Sequence, residues 1–195
     1  MKKARLILTT IIVLALVLVL YFLLQPLDLL INNNIPKLQS PFLNYFFIAV
    51  TTIGNKSVLF ILSLLLVVFL LLRKRNRDAV FSALLMIFSS LLVEVFKIIF
   101  ARPRPSNPLI EVTGYSFPSS HAVTSTAFFL LLIYLFEDKI KNKFLRILFT
   151  TICTVLAFLI VVSRIYLNAH WFSDVLSGFI LGLYLLYSFL VFHKP

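Results

Sequence analysis

His170 and Asp174 stand four residues apart in the segment "SRIYLNAHWFSD", residues 163–174. On a helix that begins there, this spacing puts both side chains on one face. A carboxylate on one imidazole nitrogen then fixes the tautomer and strengthens the other nitrogen as a nucleophile. Two more segments hold polar residues that hydropathy does not explain, "KIIFARPRPSNP" at 97–108 and "FPSSH" at 117–121. Together the three supply Lys97, Arg102, Arg104, Ser119, Ser120, His121, Ser163, Arg164, His170 and Asp174. The guanidinium forks of Arg104 and Arg164, with Lys97 beside them, suit the paired oxygens of a phosphate. Free N–H groups near Ser119 and Ser120, at the start of a helix, add a second anion-binding device. The expected ligand is therefore a phosphate or pyrophosphate group. His121, from a different segment, can serve as the general acid that protonates a leaving oxygen.

Taken singly, these residues have ordinary explanations. Lys97, Arg102 and Arg104 can snorkel to headgroups. His170 with Trp171 can belong to an interfacial aromatic belt, with Asp174 as a helix cap. The joint spacing outweighs these readings. A metal held by His121, His170 and Asp174 is disfavoured because three nearby cations would repel a divalent ion, so neither a metal nor another cofactor is expected.

The elements that position these groups follow from hydropathy. The chain of 195 residues is 61% hydrophobic with a mean hydropathy of +1.05, a composition of polytopic membrane proteins. Six apolar stretches, near 5–24, 56–72, 79–100, 121–136, 145–163 and 174–192, are long enough or nearly so to cross about 30 Å of hydrocarbon. The expected fold is all-α, one domain over 1–195 with six transmembrane helices. Lys2, Lys3 and Arg5 precede the first stretch as in a secretory signal, but its apolar core is longer than such a signal and "LLQPLD" offers no small-residue cleavage site, so it is read as a span.

The net charge of +11 is read as topology rather than as a nucleic-acid surface. With the N-terminus inside, one side collects Lys2, Lys3, Arg5, Arg73, Lys74, Arg75, Arg77, Lys139, Lys141, Lys143, Arg146 and Lys194. The other collects Lys37, Lys56, Lys97, Arg102, Arg104 and Arg164. The positive-inside rule places both termini in the cytoplasm and the cluster around His121 at the outer membrane–water interface. Residues 35–55, aromatic and broken by Pro36, Pro41 and Gly54, are expected as a short segment lying along that interface. Cys153, the sole cysteine, is expected to pack in the fifth stretch. Glu94 is expected to pair with Lys97, three residues on, and His193 to be solvated.

The three segments resemble the signature of the type-2 phosphatidic acid phosphatase superfamily, which also includes bacterial nonspecific acid phosphatases and vanadium haloperoxidases. Its first motif, Lys, six residues, Arg-Pro, falls on Lys97, Arg104 and Pro105, and this spacing sets aside the Arg102-Pro103 frame. Its second, Pro-Ser-Gly-His, falls on Pro118, Ser119, Ser120 and His121, with Ser120 where the family has Gly. Its third, Ser-Arg, five residues, His, three residues, Asp, falls on Ser163, Arg164, His170 and Asp174.

The resemblance implies metal-free phosphoryl transfer. His170 attacks phosphorus, Asp174 orients it, His121 protonates the departing oxygen, and water hydrolyses the phosphohistidine. Lys97, Arg104, Arg164, Ser119 and Ser120 hold the phosphoryl oxygens. It implies a substrate drawn from the bilayer, such as phosphatidylglycerol phosphate, undecaprenyl pyrophosphate, phosphatidic acid or a lipid A phosphate. It also implies a bacterial cytoplasmic membrane, like that of small bacterial members. Two other uses of such a pocket are a lipid-phosphate binder or transporter without hydrolysis, which has no need of the His170–Asp174 pair, and a haloperoxidase-like use of vanadate.

Overall fold

The first helix, α1 at Lys2–Leu23, is unbroken and largely apolar after its basic first turn, and most of its described side chains face outward. The computed structural model describes residues 2–193, so Lys194, counted above on the cytoplasmic side, lies outside the described residues. Seven more helices follow: α2 Gln25–Leu38, α3 Pro41–Ile53, α4 Lys56–Leu72, α5 Asn76–Phe100, α6 Ser120–Phe136, α7 Lys143–Tyr166 and α8 Phe172–His193. Five of the eight, α1, α5, α6, α7 and α8, are long and apolar enough to cross a membrane. A sixth span arises if α3 and α4, which meet at a 44° bend, count as one. The expected all-α, multi-pass architecture is the observed one.

Residues 35–55, expected as a segment along the interface, are helical: they form the end of α2, the whole of α3 and the bend that follows it. Pro41 sits at the start of a helix, where its missing N–H costs nothing, and the Ser40 hydroxyl caps that helix by accepting from Leu43 N at 3.4 Å. Gly54 and Asn55 bend the path into α4 without ending it. The breakers therefore segment the helical path here.

α6 is the central helix. It packs most extensively on α7 and α8 and also touches α4 and α5. Its contact face is made of small side chains, Ala122, Thr126 and Ala127 among them. The facing stripe of α8 contributes Gly178 and Gly182, four residues apart. A Cβ on Gly178 would lie 2.9 Å from the Ser119 carbonyl oxygen, and one on Gly182 would lie 2.6 Å from that of Val123. The glycines let the two backbones approach closely, as small residues do between helices in lipid.

Two polar pairings also differ from expectation. Glu94 bonds Lys56 of α4 at 2.5 Å rather than Lys97, because Lys97 turns into the bundle while Lys56 reaches across to α5. His193 is not solvated: its Nε2 meets Asp78 Oδ1 at 2.8 Å and its ring stacks on Phe81 at 4.1 Å. Cys153 is buried, in keeping with a packing role.

Candidate active site

The three motif segments meet at one end of the bundle. α5 arrives with Lys97 in its last turn, then stops at Ala101, whose left-handed φ of 42° turns the chain away before Pro103 and Pro105. α6 starts at the same end with Ser120 and His121. α7 ends there with Arg164, and α8 begins there with Asp174. The loop of residues 101–119 is tied down by Ser116 N donating to Arg102 O at 2.9 Å and Leu109 N to Leu167 O at 3.0 Å.

His170 is buried, in the turn between α7 and α8. Its Nδ1 faces Asp174 Oδ2 at 3.4 Å, and that oxygen also accepts from Trp171 N at 3.1 Å. Its Nε2 lies 3.0 Å from Arg104 Nη1. Arginine only donates, so Nε2 must present its lone pair and Nδ1 must carry the hydrogen toward Asp174. The resting tautomer is thus the one in which Nε2 holds the free lone pair. Burial and then the charges of Arg164, Arg104 and Lys97 hold the His170 imidazolium well below its ordinary pKa of 6.5. The ring therefore favours its neutral form.

Arg104 is held as a rigid fork. Its Nε donates to Gly114 O at 3.0 Å, Nη1 to Ala169 O at 2.8 Å, and Nη2 to Thr113 O at 3.0 Å and Tyr115 O at 3.3 Å. Burial lowers its pKa from the ordinary arginine value, partly offset by Asp174, and leaves it a cation. Arg164 is buried, with Nη1 donating to Thr51 Oγ1 at 2.6 Å, while its Nε has no partner among the described residues. The Ser120 hydroxyl is equally buried and unpartnered. Two buried donors without acceptors, in a cluster of three cations, are a site shaped for an anion.

Ser120 occupies the family's glycine position without strain. It is the first residue of α6 and is absent from the residues with positive φ, so no glycine is demanded there. Ser119 is more engaged than its motif position suggests. Its Oγ caps α6 by accepting from Ala122 N at 3.4 Å, and its N–H is spent on Asp174 O at 3.1 Å, leaving its hydroxyl hydrogen for a ligand. His121 projects from the first turn of α6 with Nε2 at 2.9 Å from Asn55 Oδ1. All eight residues to which the resemblance gives a role are thus gathered at one end of the fold.

Three participants were not picked out, and a fourth was collected but set aside. Arg102, set aside by motif spacing, is buried and bonds Asp174 Oδ1 at 2.6 Å. Asp28 of α2, Thr51 of α3 and Asn55 before α4 bond site residues across the bundle. Of these last three, only Asp28 left a sequence signal, as a lone carboxylate in the apolar run "LLQPLDLLI". Beside Ser120, a cavity of about 580 Å³ opens between α4 and α5, with Leu59, Phe60, Leu64 and Met86 in its walls and Lys56 and Glu94 also lining it.

Known proteins resemble this chain in sequence and in fold. The chain is 28% identical over 166 residues to phosphatidylglycerophosphatase B of Bacillus subtilis (strain 168), over 84% of this chain and 81% of that one. It is 33% identical over 161 residues to an undecaprenyl-diphosphatase of Sulfolobus acidocaldarius, over 78% and 70%. The crystal structure of a transmembrane PAP2 type phosphatidylglycerolphosphate phosphatase from Bacillus subtilis superposes with a TM-score of 0.81 at 28% identity, covering 98% of this chain and 95% of that one. Aquifex aeolicus LpxE superposes at 0.61 with 26% identity, covering 85% and 92%. Residues 78–195, which carry all three motifs and more than half of the sequence, match the PAP2 superfamily, and the chain belongs to it.

Proposed function

We propose that this protein is a metal-independent membrane lipid phosphatase, a single domain over 1–195, that removes the terminal phosphate of phosphatidylglycerol phosphate or of undecaprenyl pyrophosphate. The observation that carries the reading is the buried His170, with Asp174 behind it and three cations and two unpartnered donors in front. A binder without hydrolysis needs the cations but has no use for a carboxylate-backed, neutral imidazole.

The phosphoryl group enters with its oxygens on Arg104, Arg164, Lys97 and the hydroxyls of Ser119 and Ser120. A phosphoryl oxygen takes over the Arg104 Nη1 bond, which uncovers His170 Nε2. The Nε2 lone pair then forms the N–P bond as the P–O bond to the lipid breaks. The electron pair leaves on that oxygen, which receives a proton from His121. A water next attacks phosphorus, gives its proton to His121 and displaces the imidazole, releasing inorganic phosphate and restoring both histidines. The clustered cations supply the charge stabilisation that other phosphotransferases draw from magnesium.

The apolar cavity beside Ser120 supports a lipid tail lying between α4 and α5 with its phosphate at the site. Similarity to the Bacillus subtilis enzyme over most of both chains favours phosphatidylglycerol phosphate as substrate. The basic loops around Arg73–Arg77 and Lys139–Arg146 lie at the end opposite the site, which supports an outward-facing active site, both termini inside, in a bacterial cytoplasmic membrane.

The test is release of inorganic phosphate from detergent-purified protein in the presence of a metal chelator, with both lipids offered in parallel. Turnover of either, abolished by His170→Ala, is the expected result. Binding of both without turnover would replace the phosphatase by a binder or transporter.

A further inference from the structure

Asp28 lies outside all three motifs, 69 residues before Lys97 in the numbering, yet it is 1% exposed and fully bonded. Its Oδ1 accepts from Ser173 N at 2.8 Å. Its Oδ2 accepts from Ser173 Oγ at 2.6 Å and from Arg102 Nη2 at 2.7 Å. The other guanidinium nitrogen of Arg102, Nη1, donates to Ser173 Oγ at 2.7 Å and to Asp174 Oδ1 at 2.6 Å. Arg102 therefore sits between two carboxylates, and its guanidinium carbon lies over the Tyr21 and Trp171 rings, 5.0 and 5.5 Å from their centroids.

A buried guanidinium facing Asp174 alone would cancel the charge that Asp174 directs at His170. With Asp28 on its other edge, Arg102 is shared, and the three groups together carry one negative charge behind the imidazole. The same bonds fix the first turn of α8, because Asp28 anchors the backbone and the hydroxyl of Ser173, the residue immediately before Asp174.

We propose that Asp28 is a positioning residue for the nucleophile: through Arg102 and Ser173 it holds Asp174, and so the His170 ring, in the attacking orientation and with its charge uncancelled. This rests on the phosphatase reading for its catalytic meaning, while the charge balance behind His170 is independent of it. His170 is faced by Asp174 from α8, Arg104 from the 101–119 loop, Arg164 from α7, Lys97 from α5 and His121 from α6. Arg102 and Asp28 form the next layer.

The two partners should act in opposite senses. Asp28→Asn leaves Arg102 uncompensated, adds net positive charge behind the ring, and moves His170 protonation to still lower pH. Arg102→Gln leaves Asp28 and Asp174 facing one another and moves it to higher pH. The double variant restores the balance and returns the titration toward wild type. A merely structural role would not produce opposite shifts.

The experiment uses full-length protein in detergent labelled with 15N-histidine. The three histidines are assigned by His121→Asn and His193→Gln, and the His170 titration is followed in wild type, both single variants and the double variant. Phosphate release from phosphatidylglycerol phosphate is measured alongside. Opposite shifts, with kcat falling about ten- to a hundredfold in Asp28→Asn and KM within about threefold, support the proposal. Unmoved or same-direction titrations overturn it, as does an Asp28→Asn kcat within twofold of wild type where the wild type turns over. Wild type without turnover but with opposite shifts would overturn the phosphatase reading and leave the charge balance standing. If Asp28→Asn does not fold, the Arg102→Gln and double-variant titrations decide the matter: a double variant that keeps the Arg102→Gln shift overturns the proposal.

Discussion

Replacing Gly178 by Ala touches no group that meets substrate, yet it should slow the reaction. Gly178 lies one turn after Asp174 on α8, against the start of α6. The added Cβ would stand 2.9 Å from Ala122 Cβ and 2.9 Å from the Ser119 carbonyl oxygen. Neither neighbour can rotate away, one being backbone and the other the first side-chain carbon. Restoring ordinary contact requires the helices to part locally by about 0.5 Å, since carbon atoms sit about 3.5 Å apart at their optimum. That displacement separates the Ser119–Ser120 cradle from the His170–Asp174 pair and stretches the 3.1 Å bond from Ser119 N to Asp174 O. A misplacement of 1 Å costs about a hundredfold in rate, so about half that distance should cost kcat about tenfold, with overpacking destabilising the fold by about 1–3 kcal/mol. Gly182→Ala is the internal comparison. Its Cβ would meet Val123 O at 2.6 Å and Thr126 Cβ at 2.8 Å, a tighter clash one turn farther from the chemistry. It should lose more stability and less kcat. The assay is steady-state phosphate release in detergent micelles paired with thermal unfolding of the same samples. A Gly178→Ala enzyme with kcat within twofold of wild type and unchanged unfolding would refute the close-packing argument, as would a larger kcat loss in Gly182→Ala.

Other predictions address the site itself. Ser120→Ala removes a buried donor that has no internal acceptor, so it should raise KM and lower kcat/KM by about tenfold or more while leaving thermal stability nearly unchanged; a marked stability loss would show that the hydroxyl serves the fold. Because only neutral His170 attacks and its protonation is pushed well below 6.5, the acid-side loss of kcat/KM should begin below pH 6.5; a limb above that value, tracked to His170 by 15N titration, would contradict the burial-and-cation account. Vanadate should compete with substrate, and Arg104→Lys should weaken that competition, since a point charge cannot reproduce a fork that meets four acceptors besides the imidazole; equal inhibition of both proteins would count against the phosphate-shaped pocket.

The spans and the eight residues gathered at the site were legible because each left a local signature. Apolar runs of membrane length, and polar groups at fixed spacing where hydropathy alone would place none, both act within one segment. What was not legible acts between segments. Asn55 and Thr51 are ordinary polar residues in sequence, and only the packing of α3 and α4 on α6 and α7 brings them to His121 and Arg164. Arg102 was set aside by a spacing rule that ranks it below Arg104, although both are used, one toward the pocket and one behind it. Glu94 has cationic neighbours both along its helix and across the groove, and its choice of Lys56 depends on Lys97 being turned inward. Pro36, Pro41 and Gly54 read as breakers of structure because composition does not show that Ser40 caps the helix they flank.

The hydrogen bond from Arg104 to His170 Nε2 also bears on what the enzyme leaves alone. The protein lives among phospholipids whose carboxylic esters greatly outnumber any phosphomonoester. A bare, carboxylate-backed imidazole would be exposed to them as acyl acceptor. Here Nε2 is covered by the Arg104 cation, and a neutral ester carbonyl offers that cation little reason to let go. A dianionic phosphoryl group offers a stronger partner. In the proposed mechanism the substrate's own charge thus unlocks the nucleophile, and the bilayer's abundant esters meet a closed door.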